Sequence, residues 1–315
     1  MKVLVVGATG AVGRPLVRKL VAADHHVVAT ARHRPTDLLP GTEFRSLDLL
    51  ELGAVESIVR EVRPVAIIHQ ATALTRIGNN VRAFDRSFAT TNRLRVEGTR
   101  ALIEAGHTLV SPPRLVVQSF CGWPWAPDGG PVKSEEDDLD PHPAPAFRRT
   151  LAALKELEDM VTGFPNGVVL RYAALYGPGT SLATGGAQIE AIRTRAFPLV
   201  GDAAATWSFL HVEDAAEAAV AALTRGRGIY NIADDHPVRI GEWLTDVARL
   251  IDAPPPRRVP VWFARIVGGE GLVHMMTRAR ASSNSKARRD LGWTPCHADW
   301  REGFAAELGP RADTS

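Results

Sequence analysis

A chain of 315 residues with 45% apolar and 23% charged side chains can bury a full core, which excludes an extended, disordered protein. Its 37 basic and 35 acidic groups nearly cancel to +2 and are interspersed, so neither nucleic acid nor a membrane surface is expected as the main partner. Cys121 and Cys296 fit neither a disulfide framework nor a metal-ligand spacing, no signal-peptide pattern opens the sequence, and no run approaches the ~18 apolar residues of a membrane helix. A cytoplasmic protein with a small-molecule partner is the expectation.

Taken in chain order, residues 2–6, 26–31, 44–47, 65–70, 115–119 and 168–172 are short Val/Ile/Leu-rich runs that predict doubly covered parallel strands. Between them, residues 14–23, 52–62, 91–105 and 147–162 carry apolar positions at helical spacing and predict crossover helices. The fold class is therefore α/β, a doubly wound parallel sheet of Rossmann type over residues 1–176. Residues 177–315 form mainly a smaller C-terminal substrate-binding region, with some segments returning to the Rossmann core. Helices are predicted there over 212–223, 240–251, 278–285 and 298–308. Residues 123–145 hold six prolines and the acidic run 135–138, the pattern of a long surface loop.

The strongest chemical signal is Gly7-Ala8-Thr9-Gly10-Ala11-Val12-Gly13, set between the first strand and the first helix. Glycines there permit a tight turn and close approach of backbone to a pyrophosphate, which then sits at the positive end of the helix. Where NAD-specific sheets carry an acid after the second strand, this chain has Arg32 and Arg34, groups suited to a ribose 2′-phosphate, so NADP(H) is the expected cofactor.

The GxxGxxG spacing, together with further motifs, resembles the extended short-chain dehydrogenase/reductase superfamily, which includes NAD-dependent epimerases and dehydratases. The motifs are Asp48-Leu49, His69-Gln70-Ala71-Thr72, Val96-Glu97-Gly98-Thr99, Leu170-Arg171-Tyr172, Tyr176-Gly177-Pro178-Gly179, the segment 207–215 and Asp290-Leu291-Gly292-Trp293. The resemblance implies that Asp48 and Leu49 border the adenine, Gln70, Ala71 and Thr72 the ribose and pyrophosphate, and Tyr172 the nicotinamide. It also implies a homodimer through the helices 91–105 and 147–162.

Family chemistry uses a Ser or Thr after the fifth strand and a Tyr four residues before a Lys on the next helix, where the ammonium lowers the phenol pKa. By this resemblance Ser119 and Lys155 take the catalytic positions, Lys155 also holding the cofactor ribose. Leu151 stands where the tyrosine belongs, and the chain's tyrosines, 172, 176 and 230, all lie outside this helix. Tyr176, His211, Cys121 and a bound water are the candidate replacement acids. Trp123, Tyr176 and Trp207 are expected to contact substrate, with Trp125, Phe147, Met275 and Met276 nearby, giving an apolar pocket. The sequence thus points to an atypical NADP(H)-dependent oxidoreductase acting on a small, largely apolar metabolite. The alternative is an NADP(H)-binding protein with isomerase, lyase, cyclase or cofactor-sensing function.

Overall fold

The computed structural model describes residues 1–74 and 81–309. Seven strands form one parallel sheet: β1 (Lys2–Val6), β2 (His26–Ala31), β3 (Thr42–Ser46), β4 (Ala66–His69), β5 (Arg114–Phe120), β6 (Gly167–Tyr172) and β7 (Gly228–Ile232). Their order across the sheet is β7-β6-β5-β4-β1-β2-β3. The order reverses at β1, and in such sheets ligands bind beyond the carboxyl ends of the strands at that reversal. The Val- and Ile-rich interiors of β1, β4 and β6 are buried throughout, as strands covered by helices on both faces require.

Helices α1 (Gly13–Ala22), α2 (Leu52–Val62), α3 (Thr99–His107) and α4 (Arg148–Gly163) cover the sheet where the periodicity placed them. The helical run leading into α3 is not uniform. Phe84–Ser87 and Ala89–Arg93 are followed by a π-helical turn, Leu94–Gly98, which seats the buried Arg95 against Asn92. Wide turns of this kind accommodate an extra residue without ending the helix.

Residues beyond 176 contribute to both lobes. Strand β7 pairs with β6 in the main sheet, and α6 (Val212–Ala221) packs against α1. The second lobe contains α5 (Ala187–Arg193), α7 (Ile240–Leu250), α8 (Val261–Thr277) and α10 (Trp300–Leu308) around Trp243, Phe209, Trp300 and Phe304. Helix α8 was not evident in the sequence because Gly268, Gly269 and Gly271 interrupt it, and Gly269 is non-helical at φ 78°. The helix expected over 278–285 is instead a short strand, Ala281–Ser282, followed by α9 (Ser285–Leu291). That strand pairs in parallel with Val132–Lys133, pinning the proline-rich loop to the C-terminal lobe. No described helix is long and apolar enough to cross a membrane.

Candidate functional site: a dinucleotide cleft with an apolar reaction end

The glycine loop has the geometry its residue types dictate. Gly7 has φ 86°, and a Cβ there would lie 2.6 Å from the Ala71 backbone, so the turn leans directly on the exit of β4. A Cβ on Gly13 would lie 2.1 Å from the Gly7 carbonyl oxygen, so the helix can close on the loop only with glycine at that position. Gly10 has no protein atom closer than 3.4 Å to such a Cβ, leaving its surface to a ligand. The amides of Gly7 and Ala8 donate to the Thr30 carbonyl at 3.1 Å, which fixes the loop to β2. No side chain caps α1, so the positive end of its dipole faces the loop. Thr9 and Ala11 are half-buried, while Val12 is buried and packs into the core. Gly179 approaches Ala11 closely enough that its Cβ would touch it at 3.4 Å, bringing the Tyr176–Gly179 turn against the loop.

At the end of β2 Arg32 is exposed, with no carboxylate partner among the described residues, and its carbonyl accepts from Ser46 Oγ at 2.8 Å. Arg34 lies 5.9 Å from the Phe44 ring. Asp48 spends one carboxylate oxygen on the Leu50 amide, and Leu49 is buried against Gly98. Ala71 and Thr72 are half-buried at the cleft edge.

Tyr172 does not reach the cleft as expected. It is buried, its hydroxyl accepts from Gln70 Nε2 at 3.1 Å and donates to the Ala215 carbonyl at 3.3 Å, and burial pushes its pKa upward. Gln70, also buried, is therefore a strut between β4 and β6. Tyr176 is likewise corrected: it is fully buried and stacked on Phe304 at 4.4 Å.

The two residues expected to catalyse are also differently employed. Ser119 Oγ donates to Glu158 at 2.7 Å, and Glu158 receives both Nε and Nη2 of Arg171 at 2.8 and 2.6 Å. The Arg171 and Glu158 side chains are 6% and 5% exposed, so Ser119 belongs to a buried tie between β5, β6 and α4. Lys155 sits on the exposed face of α4. Its neighbours Thr150, Leu151, Leu154 and Glu158 face inward instead. A helix advances about 100° per residue, so reading the lysine into the site turned the helix away from the face it actually buries. Thr150 is held by Asn92 Nδ2 at 3.1 Å and donates to Asp85 at 2.7 Å. Asp85 also accepts the amides of Arg149 and Thr150, capping α4 from another segment.

The groups weighed as replacement acids are engaged as well. Cys121 is buried beside the Arg171 carbonyl, and desolvation pushes its thiol up to about 12. His211 caps α6 and faces Glu307 at 3.2 Å, with burial lowering its pKa. What converges near the start of α4 is aromatic. Trp123 lies 4.6 Å from Phe147, 5.4 Å from Phe84 and 6.3 Å from Phe120. His274 joins them by its contact with the Trp123 carbonyl at 3.0 Å, and Trp207, half-buried, donates to the Met275 carbonyl. Phe84 and His274 went unrecognised in the sequence, because each is a single residue in an otherwise unremarkable helix and only the tertiary packing joins them to Trp123.

Residues 3–233 match the NAD dependent epimerase/dehydratase family. The chain belongs to that family. It is 40% identical over 98% of its length to the full length of a Streptomyces protein named 3-diazoavenalumate denitrifying reductase. Among solved structures it resembles MoeE5 in complex with UDP-glucuronic acid and NAD (25% identity, TM-score 0.71, 98% of each chain covered). It also resembles the dTDP-glucose 4,6-dehydratase DesIV of Streptomyces venezuelae (20% identity, TM-score 0.74, covering 98% of this chain and 96% of that one), a likeness of fold. The expected superfamily and fold class are thereby established.

Proposed function

We propose that this protein is a nicotinamide-dependent reductase that delivers hydride to a small aromatic electrophile of the diazo class, with NADP(H) as the cofactor. The observation that carries the reading is the reaction end of the cleft. Ser119 is consumed by Glu158, Leu151 and Leu154 occupy the inward face of α4, and Cys121 and His211 are engaged elsewhere. The cradle fits a dinucleotide: Gly7 and Gly13 admit no side chain, Gly10 is open, and α1 presents an uncapped N-terminus.

Reduced nicotinamide, when bound, supplies a hydride equivalent. A ketone that accepts hydride becomes an alkoxide and needs a proton from a positioned acid. An aryl diazonium that accepts hydride forms no oxyanion: the nitrogen bears the new hydrogen, dinitrogen departs with the cleaved C–N bond, and the aryl carbon ends with hydrogen in its place. Atoms and charge balance without a protein acid, so leucines on α4 do not obstruct such a reaction. The name of the 40%-identical Streptomyces relative supports this substrate class. Arg32, exposed and without a carboxylate partner among the described residues, suits a 2′-phosphate, whereas MoeE5, at 25% identity, was solved with NAD. Trp123, Phe147, Phe84 and Trp207 supply the apolar wall for an aromatic ring.

The test is parallel assay of NADPH and NADH oxidation with a carboxyl-bearing aryl diazonium salt and with acetophenone. Oxidation of NADPH with the diazonium and not with the ketone is expected. Reduction of the ketone at a comparable rate would defeat the reading.

A further inference from the structure

A cavity of about 790 Å³ lies between residues 82–92, the approach to α4 at 145–149 and the glycine break in α8. This is the size range of small-molecule sites. Its walls are slim and apolar, formed by Ala83, Ala89, Pro145, Ala146 and the turn 268–271. Behind Gly271 lies the buried aromatic cluster: a Cβ on Gly271 would press on the Phe147 ring at 3.0 Å, and Phe147 in turn packs on Trp123.

The charges in this cavity do not cancel. Asp85 is committed to capping α4 through three hydrogen bonds, and Glu270 is paired with Arg265. Arg82 reaches across to the Ile266 carbonyl, holding α8 over the opening. Arg86 and Arg149 are exposed, line the cavity and have no carboxylate partner among the described residues. Asn92, tied to Thr150, adds a fixed polar group on the same wall. A cavity walled by small apolar residues, with two guanidinium groups that lack a carboxylate partner among the described residues, suits an apolar ligand that ends in an anion, since guanidinium and carboxylate pair in a bidentate fork.

We propose that this cavity recognises the carboxylate of an aromatic acid substrate, with Arg86 and Arg149 as the carboxylate receptors and Ala83, Ala89, Pro145 and Ala146 against the ring. The inference rests on the proposed aromatic substrate class but concerns binding and can be tested without turnover. Calorimetric titration of the whole protein with cinnamate, with methyl cinnamate as its uncharged counterpart, and separately with NADPH, is made on the native chain and on R86E/R149E and R86Q/R149Q. Cinnamate binding that is at least about tenfold tighter than the ester's, and weakened at least about tenfold in both variants, is expected. NADPH binding should be unchanged in both variants, which shows that they are folded. Absence of cinnamate binding to the native chain, or equal affinity in native chain and variants, overturns the proposal. NADPH affinity, read independently, decides the cofactor reading, so failure of one is distinguishable from failure of the other.

Discussion

Replacing, one at a time, the two charged residues Glu158 and Lys155, of which α4 buries the first and exposes the second, gives the sharpest consequence of the geometry. Glu158→Gln removes the charge from a pair whose side chains are 6% and 5% exposed, leaving the buried Arg171 without its carboxylate hydrogen-bond partner. Breaking a buried pair from one side costs about 3 to 5 kcal/mol, because the remaining ion keeps its desolvation penalty without compensation. The Ser119 hydroxyl also exchanges a charged acceptor for an amide. Lys155→Ala removes an exposed side chain and substitutes the best helix former, so its effect should stay within about 0.5 kcal/mol. With a urea slope of about 3 kcal/mol/M, Glu158→Gln should lower the unfolding midpoint by about 1 to 1.7 M while Lys155→Ala leaves it in place. The same Lys155 variant should retain NADPH affinity. A Glu158→Gln midpoint within about 0.3 M of the native one, or loss of cofactor binding in Lys155→Ala, would refute the assignment of faces on α4.

Other consequences follow from single positions. Gly13→Ala forces a Cβ to 2.1 Å from the Gly7 carbonyl oxygen, so dinucleotide binding should fall below detection in a calorimetric titration. Arg32→Ala should weaken NADPH by about 10- to 100-fold and leave NADH unchanged, the loss of a charge-assisted bond to the 2′-phosphate; equal effects on both would point to a general positioning role. Asp234 is buried, and desolvation first, with neighbouring carboxylates, raises its pKa to about 8. Its folded-state value exceeds the unfolded one, so the folded chain holds the extra proton, and stability falls as pH rises from about 4 toward 8 by at most about 1.4 kcal/mol per unit. Asp234→Asn, which keeps an acceptor for the Phe209 amide, should flatten that slope, as denaturation at pH 5 and pH 8 would show.

Much of the fold was legible because its elements are periodic. Strands such as Lys2–Val6 and Gly167–Tyr172 are short Val- and Leu-rich runs, and their burial on both faces is what makes them so. The glycine loop was equally legible, since each of its constraints is local and leaves a glycine behind. The C-terminal lobe was harder: α8 is broken at Gly269, and Ala281–Ser282 becomes a strand only through its pairing with Val132–Lys133. The reaction end was misread for a different reason. Ser119, Lys155, Tyr172 and Tyr176 are the right residue types near the right motifs, but type does not say which way a side chain faces. Ser119 turns to Glu158, Tyr172 to Gln70 and Tyr176 to Phe304, partners 39, 102 and 128 positions distant in the sequence. The aromatic wall of Phe84, Trp123, Phe147 and His274 likewise exists only in the packed chain.

The measurement that bears most directly on the central claim is a paired determination of NADPH oxidised and dinitrogen released when the purified protein meets an aryl diazonium substrate. Equimolar amounts, with the arene as product and no turnover of acetophenone, are the predicted result. Dinitrogen release that does not depend on NADPH, or NADPH oxidation coupled to the ketone instead, would contradict the account.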